Sequence, residues 1–192
     1  MKIQVRELVR KALHLTGLLY IIALQVLGRE KTLVLSFLCL CTAIILELIR
    51  LKYWHVFPFK RLFEALARDI EKRSLSGYLY FFVSSTLVIL LFSPKATSIA
   101  ITASIIGDVA SAIVGIHIGK RRLIRDRDKT LEGLLAGAFS IALLAFIYPL
   151  PLMIIATLTF IFVEVVNRGV VNDNLLHPLA IGLTIQGYLL LP

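Results

Sequence analysis

Apolar residues run in long, nearly unbroken blocks, and polar residues collect in the short segments between them. The blocks fall at about 12–28, 31–50, 75–92, 96–119, 131–148, 150–167 and 175–191. Each approaches the roughly 20 residues that a helix needs to cross a bilayer core. They are too long for strands, so the pattern predicts helices. One segment differs. From Pro58 to Arg73 the apolar residues Phe59, Leu62, Phe63, Leu66 and Ile70 recur at helical spacing. Lys60, Arg61, Glu64, Arg68, Asp69, Lys72 and Arg73 lie on the other face. That is the pattern of an amphipathic helix, lying in the membrane interface or packed on its own neighbours. The expected fold is all-α: a polytopic membrane helix bundle of about seven transmembrane helices plus an interfacial amphipathic helix, one domain over residues 1–192.

Composition strengthens this reading. Of 192 residues, 58% are hydrophobic and 17% charged, and mean hydropathy is +0.88. A soluble domain is near half apolar and a quarter charged, so a soluble enzyme, a secreted disulfide scaffold and a disordered tail are set aside. The N-terminal run ends without a small-residue cleavage site and more spans follow, so it reads as a retained membrane helix. Cys39 and Cys41 stand two apart in one apolar run, where they do not face each other on a helix. They read as packing residues.

The net charge of +9 is a matter of topology. With connections alternating between the two sides, 18 of the 21 lysines and arginines fall on one side, and Arg29, Lys31 and Lys95 on the other. By the positive-inside rule the N-terminus is cytosolic and the C-terminus outside. Basic residues split among membrane loops argue against a nucleic-acid partner.

Ionisable residues inside apolar runs are costly and ask for a role. Glu47 and Arg50 share a helix face near the cytosolic end of the second run, as an end-of-helix pair or a functional one. His14 follows Arg10-Lys11 just inside the first. Asp108 lies in the middle of the fourth, beside Ala103, Gly107, Ser111, Gly115 and Gly119, which recur every fourth residue and let a neighbouring helix approach closely. Packing explains the small residues and not the aspartate, a natural Mg²⁺ ligand. The loop after it carries Lys120, Arg121, Arg122, Arg125 and Arg127 and ends Lys129-Thr130-Leu131-Glu132-Gly133 at a helix N-terminus, where backbone donors and a lysine suit phosphate. Glu164 and Asn167 lie near the end of the sixth run. Asp173 and Asn174 open the seventh, as caps or as site residues. Alternating topology allows Asp108, Lys129, Glu132, Glu164 and Asp173 to meet in one cytosol-facing pocket.

In order along the chain stand Arg10-Lys11-x-x-His14, Glu47-x-x-Arg50, Lys72-Arg73 before Gly77, Gly107-Asp108 with Gly115 and Gly119, Lys129-Thr130-x-Glu132-Gly133, Glu164, and Asp173-Asn174-x-x-x-Pro178. This ordered set resembles the polyprenol kinase family, which holds dolichol kinase, phytol kinase and the CTP-dependent diacylglycerol kinase of yeast. The resemblance covers residues 10–178. The family often has a threonine within the last motif, where this chain reads Leu175-Leu176-His177, and eukaryotic dolichol kinases have more spans.

The resemblance implies transfer of the terminal phosphate of CTP, or ATP, to a membrane lipid alcohol with Mg²⁺. Asp108 would hold the metal, with Asp173 or Glu164 as second ligand or as the group orienting the hydroxyl. Lys129 and Thr130 would grip the phosphates, with Arg121, Arg122 and Lys120 in support. Glu132 would order Lys129 or ligate metal. Asn174 and Asn167 would bond the nucleotide or cap helices, and Lys11, His14, Glu47 and Arg50 would support structure or orient substrate. Three other readings stand beside it: a CTP-dependent lipid cytidylyltransferase, a small transporter in which Asp108 binds a coupling ion, and a non-catalytic membrane subunit.

Overall fold

The computed structural model describes residues 3–72, 74–123, 129–167 and 171–191. Among them it is all-helical, with no strand beyond an isolated antiparallel bridge between Arg122 and Thr130. The helices are α1 (Ile3–Leu15), α2 (Leu19–Lys52), α3 (Lys60–Leu66), α4 (Gly77–Leu91), α5 (Pro94–Ile118), α6 (Leu131–Leu143), α7 (Leu150–Val166) and α8 (Asp173–Leu189). Two helical stretches, Val5–Lys52 and Pro94–Ile118, are long and apolar enough to cross a membrane. Gly77–Leu91, Leu131–Phe146 and Leu150–Val166 are shorter apolar helices.

The first stretch is not one rod. Gly28 has φ +76°, which only glycine adopts without strain, and it breaks α2. The chain folds back there, because Tyr20 before the break and Cys39 after it line one cavity. Arg29, next in sequence, donates to the carbonyls of Ile89 at 3.1 Å and Leu90 at 2.7 Å, capping the C-terminus of α4. A 3₁₀ turn over Thr16–Leu18 divides α1 from α2.

The small-residue stripe packs as its spacing predicts. A Cβ on Gly107 would meet Ile141 Cδ1 at 2.7 Å and Phe160 Cε2 at 2.9 Å. One on Gly133 would meet the Ser111 carbonyl at 2.7 Å. α5 and α6 thus touch nearly backbone to backbone. Around this seam Ile99, Ile105, Ile141, Met153, Phe160, Ile181 and Ile185 form the buried core. Asp108, one position round from Gly107, reaches Lys11 and His14 of α1.

Contacts sort the connections into two ends. At one, Ser93 N–H donates to Gln186 and Arg29 caps α4. At the other, α1 and the 60–77 segment meet the starts of α4 and α8 through Arg10, Glu71, Gly77 and Asn174.

The amphipathic helix expected over Pro58 to Arg73 is shorter than its periodicity. α3 ends at Leu66, Ala67 is extended, and a 3₁₀ turn follows over Ile70–Lys72. Arg73 lies outside the described residues. The cause is tertiary: Glu71 accepts from Arg68 N–H at 2.9 Å and from Arg10 and Gly77, which pulls the backbone inward and out of helical register.

Candidate functional site

α1 carries Lys11 and His14 on one face, one turn apart, and both meet Asp108 of α5. Lys11 Nζ donates to Asp108 Oδ2 at 2.5 Å, and His14 Nε2 stands 3.8 Å from the same oxygen. His14 also packs edge-on against Phe81, with ring centroids 4.8 Å apart. The aspartate stranded in an apolar run therefore has partners, and they come from the N-terminal helix.

A second cluster forms where α6, α7 and α8 meet. Lys129 pairs with Glu164, and with Asp173 at 2.9 Å. Asn167 Nδ2 donates to Asp173 Oδ1 at 2.7 Å, and His177 Nε2 stands 3.3 Å from Glu164. The cap of α8 is Asn172, whose Oδ1 accepts from Asn174 N–H at 3.0 Å. Neither Asp173 nor Asn174 serves as that cap. Both aspartates, Asp108 and Asp173, line one polar pocket of about 220 Å³ with Arg10, Lys11, His14 and Arg68.

Glu132 and Thr130 do something else. The Glu132 carboxylate accepts from the backbone N–H groups of Lys120 at 3.1 Å and Arg121 at 3.2 Å. Thr130 Oγ1 accepts from Gly133 N–H at 3.1 Å, an N-cap, and Leu131 N–H donates to the Arg121 carbonyl. Two donors expected to face a phosphate are thus already engaged within the chain, and these residues do not line the pocket. Lys120, Arg121 and Arg122 are exposed; Arg125, Asp126, Arg127 and Asp128 lie outside the described residues.

Glu47 and Arg50 form a closed cluster. Arg50 donates twice to Glu47, at 2.9 and 2.7 Å, and once each to the carbonyls of Glu71 and Ser74. Ser76 N–H, Ser76 Oγ and Tyr78 OH also donate to Glu47. The Arg50 guanidinium sits 4.5 Å over the Phe63 ring. This cluster ties the 60–77 segment to α2.

Glu71, like Arg68 and His177, is a site residue that sequence reasoning missed. It takes two hydrogen bonds from Arg10, at 2.5 and 2.9 Å, and one from Gly77 N–H at 3.0 Å. Burial pushes its carboxyl up, but the donors from Arg10, Arg68 and Gly77 outweigh burial and hold it below its usual 4.5. Beside it, the Arg68–Glu7 pair at 2.9 Å straps α1 down. Arg10, one residue from Lys11 in a motif already noted, was the available signal.

Beyond the polar pocket lies an apolar chamber of about 610 Å³ between α1, α2, the 57–67 segment and α4. The two cavities share Arg10, His14, Glu71, Gly77 and Asn174. Among the described residues, no three His, Cys, Asp or Glu side chains converge as a protein-built metal cage. Two carboxylates on one pocket still suit Mg²⁺, which keeps several waters and takes substrate phosphate oxygens.

The chain is similar to an uncharacterized protein of Methanocaldococcus jannaschii, 28% identical over 190 residues that cover 94% of this chain and 93% of that one. No family model and no solved structure matches it.

Proposed function

We propose that the chain is a lipid-alcohol kinase. It transfers the terminal phosphate of a nucleoside triphosphate, CTP in preference to ATP, to an isoprenoid alcohol of the polyprenol, dolichol or phytol type. The observation that carries this reading is the junction of an apolar chamber with a charged pocket at Arg10, His14, Glu71, Gly77 and Asn174. An amphiphile with a long tail and a small reacting head matches that pair of cavities. The ordered motifs shared with the polyprenol kinases support the same chemistry. The chain crosses the membrane seven times with its N-terminus in the cytosol, a reading supported by the 18 basic residues on one side.

Phosphoryl transfer needs mostly positioning and charge neutralisation. Arg10, Lys11 and Arg68 face the phosphates in the pocket, and Lys129 adds a cation through its contact with Asp173. The pocket is small, so it takes the phosphate tail, and the nucleoside lies toward the loop with Lys120, Arg121 and Arg122. Asp108 and Asp173 are the residues that would hold Mg²⁺, which when bound neutralises charge on the transferring group. In the free protein Lys11 and Lys129 balance those carboxylates. Asn174 and His14 position the lipid hydroxyl at the junction. Its oxygen forms the new bond to phosphorus as the bond to the bridging oxygen breaks; nucleoside diphosphate leaves, and the proton passes to pocket water.

The test uses purified protein in detergent with terminally labelled CTP or ATP, Mg²⁺ and a panel of prenols. The expected products are lipid monophosphate and nucleoside diphosphate in equal amounts. Pyrophosphate and a CDP-lipid from a phospholipid acid would replace the kinase by a cytidylyltransferase. No turnover with any pair would refute both.

A further inference from the structure

Two carboxylates hold Lys129, and each is itself held from behind. Asp173 offers Oδ2 to the Lys129 ammonium at 2.9 Å, and its Oδ1 accepts from Asn167 Nδ2 at 2.7 Å. Glu164 offers Oε2 to Lys129, and its Oε1 lies 3.3 Å from His177 Nε2. A ring lone pair aimed at a carboxylate oxygen would repel it, so Nε2 carries a hydrogen. Asp173 and His177 stand four apart on α8 and share a face of that helix. The row runs from the interior outward. Side-chain exposure rises from 3% at His177 and 7% at Glu164 to 25% at Lys129 and 33% at Asp173, which lines the polar pocket.

The two rear supports differ. Asn167 also exchanges hydrogen bonds with the Val171 backbone, so it ties the end of α7 to the residues before α8. His177 has no such second task among the described residues. Its Nδ1 is buried without a hydrogen-bond partner there, and its ring packs on Phe160 with centroids 4.8 Å apart. Packing alone is met better by an aliphatic side chain, because a buried polar atom left unpaired is costly. The contact that an aliphatic residue cannot make is the one to Glu164.

We infer that His177 is a positioning residue for Lys129: it fixes the Glu164 carboxylate from behind, so that the ammonium rests between Glu164 and Asp173 at the edge of the pocket. This rests on the kinase reading, which gives Lys129 its phosphates, and deepens it. Without His177, Oε1 of Glu164 turns to the nearest remaining donor, Lys129. The ammonium is then drawn inward, away from Asp173 and from a phosphate in the pocket.

The test compares three variants. In His177→Gln the amide nitrogen reaches the place of Nε2, in His177→Asn only that of Nδ1, and His177→Leu has no donor. Acylation of Lys129 by an amine-reactive reagent, read by mass spectrometry without nucleotide, reports the ammonium directly. Tm and transfer kinetics are measured on the same preparations in detergent. In His177→Leu and His177→Asn acylation of Lys129 slows roughly fivefold, the scale of one hydrogen bond. In both, kcat/KM for the nucleotide falls roughly tenfold, mostly through KM, and KM for the prenol is unchanged. His177→Gln restores acylation and nucleotide KM to within about twofold of the parent chain. If His177→Leu lowers Tm, the comparison of glutamine with asparagine decides, since both are polar and one restores the contact. Parental acylation and nucleotide KM in a folded His177→Leu overturn the inference. So does a glutamine variant no better than the asparagine one, or loss of fold in all three. Slowed acylation restored by glutamine, with no phosphate transfer from any nucleotide in the parent chain, refutes the kinase and retains the positioning of Lys129. Transfer and acylation indifferent to all three variants do the reverse.

Discussion

Glu47 and Asp108 are both carboxylates within apolar runs, and both face a basic residue. Their surroundings differ in saturation. Glu47 receives five hydrogen bonds, from Arg50, Ser76 and Tyr78, and its side chain is 2% exposed. Asp108 has Lys11 on one oxygen and His14 at 3.8 Å, is 19% exposed, and lines a cavity. A fully satisfied buried charge has no capacity left for a ligand and serves the fold. A carboxylate on a polar pocket, with one oxygen that takes no hydrogen bond among the described residues, retains that capacity. Cost of burial marks both residues as meaningful in the sequence; only the count of donors separates structure from chemistry.

Breaking the closed cluster has the largest expected effect on stability. Arg50→Ala leaves Glu47 buried without its main partner and lowers stability by about 3–5 kcal/mol. Thermal unfolding in detergent checks it, and activity per folded molecule stays near parental. If Arg50→Ala leaves Tm unchanged, the cluster is not the structural clamp described.

Lys129 sharpens the other side of the comparison. It is a compact ammonium between Glu164 and Asp173, and a guanidinium fork does not reproduce that geometry. Lys129→Arg keeps the charge and loses about tenfold in kcat/KM, roughly 1.4 kcal/mol, with Tm little altered. Full activity of the arginine variant would remove Lys129 from phosphate binding.

Glu71 gives the smallest effect and a pH signature. Its folded pKa lies below its usual 4.5, so its contribution is complete above that value and is lost as pH falls through the folded pKa. The strap between α1 and the 60–77 segment should loosen in that acid window. Limited proteolysis of α1, stepped down from neutral pH to below 4.5, should show cleavage there in the parent chain. In Glu71→Gln it should show cleavage already at neutral pH. Identical profiles for the two would assign the strap to Arg68–Glu7 instead.

The helices were legible because length and apolarity fix them locally. The runs at 75–92, 96–119, 150–167 and 175–191 correspond to α4, α5, α7 and α8 within a few residues. The stripe from Ala103 to Gly119 announced the α5–α6 seam. What local pattern cannot carry is long-range pairing. The helix over Pro58 to Arg73 was cut short by Glu71, whose partners lie on α1 and α4. Lys129-Thr130-x-Glu132 reads as a phosphate grip, yet Thr130 and Glu132 hold the turn beside them and Lys129 alone turns to Glu164 and Asp173. Asp108 was recognisable from its place inside an apolar run. That Lys11 and His14 answer it, almost a hundred residues away, required the fold.

The most direct test of the account is Asp108→Asn, measured for turnover and unfolding on the same preparation. Asp108 and Lys11 are only 19% and 14% exposed, so loss of one charge of the pair should lower stability by about 1–3 kcal/mol and still leave a folded protein. Turnover of nucleotide and prenol should fall by roughly 10²–10³ or more, the scale of losing a preorganised charge at a reacting centre. A folded Asp108→Asn protein with near-parental activity at low Mg²⁺ would contradict the account and make Asp108, like Glu47, a residue of the fold.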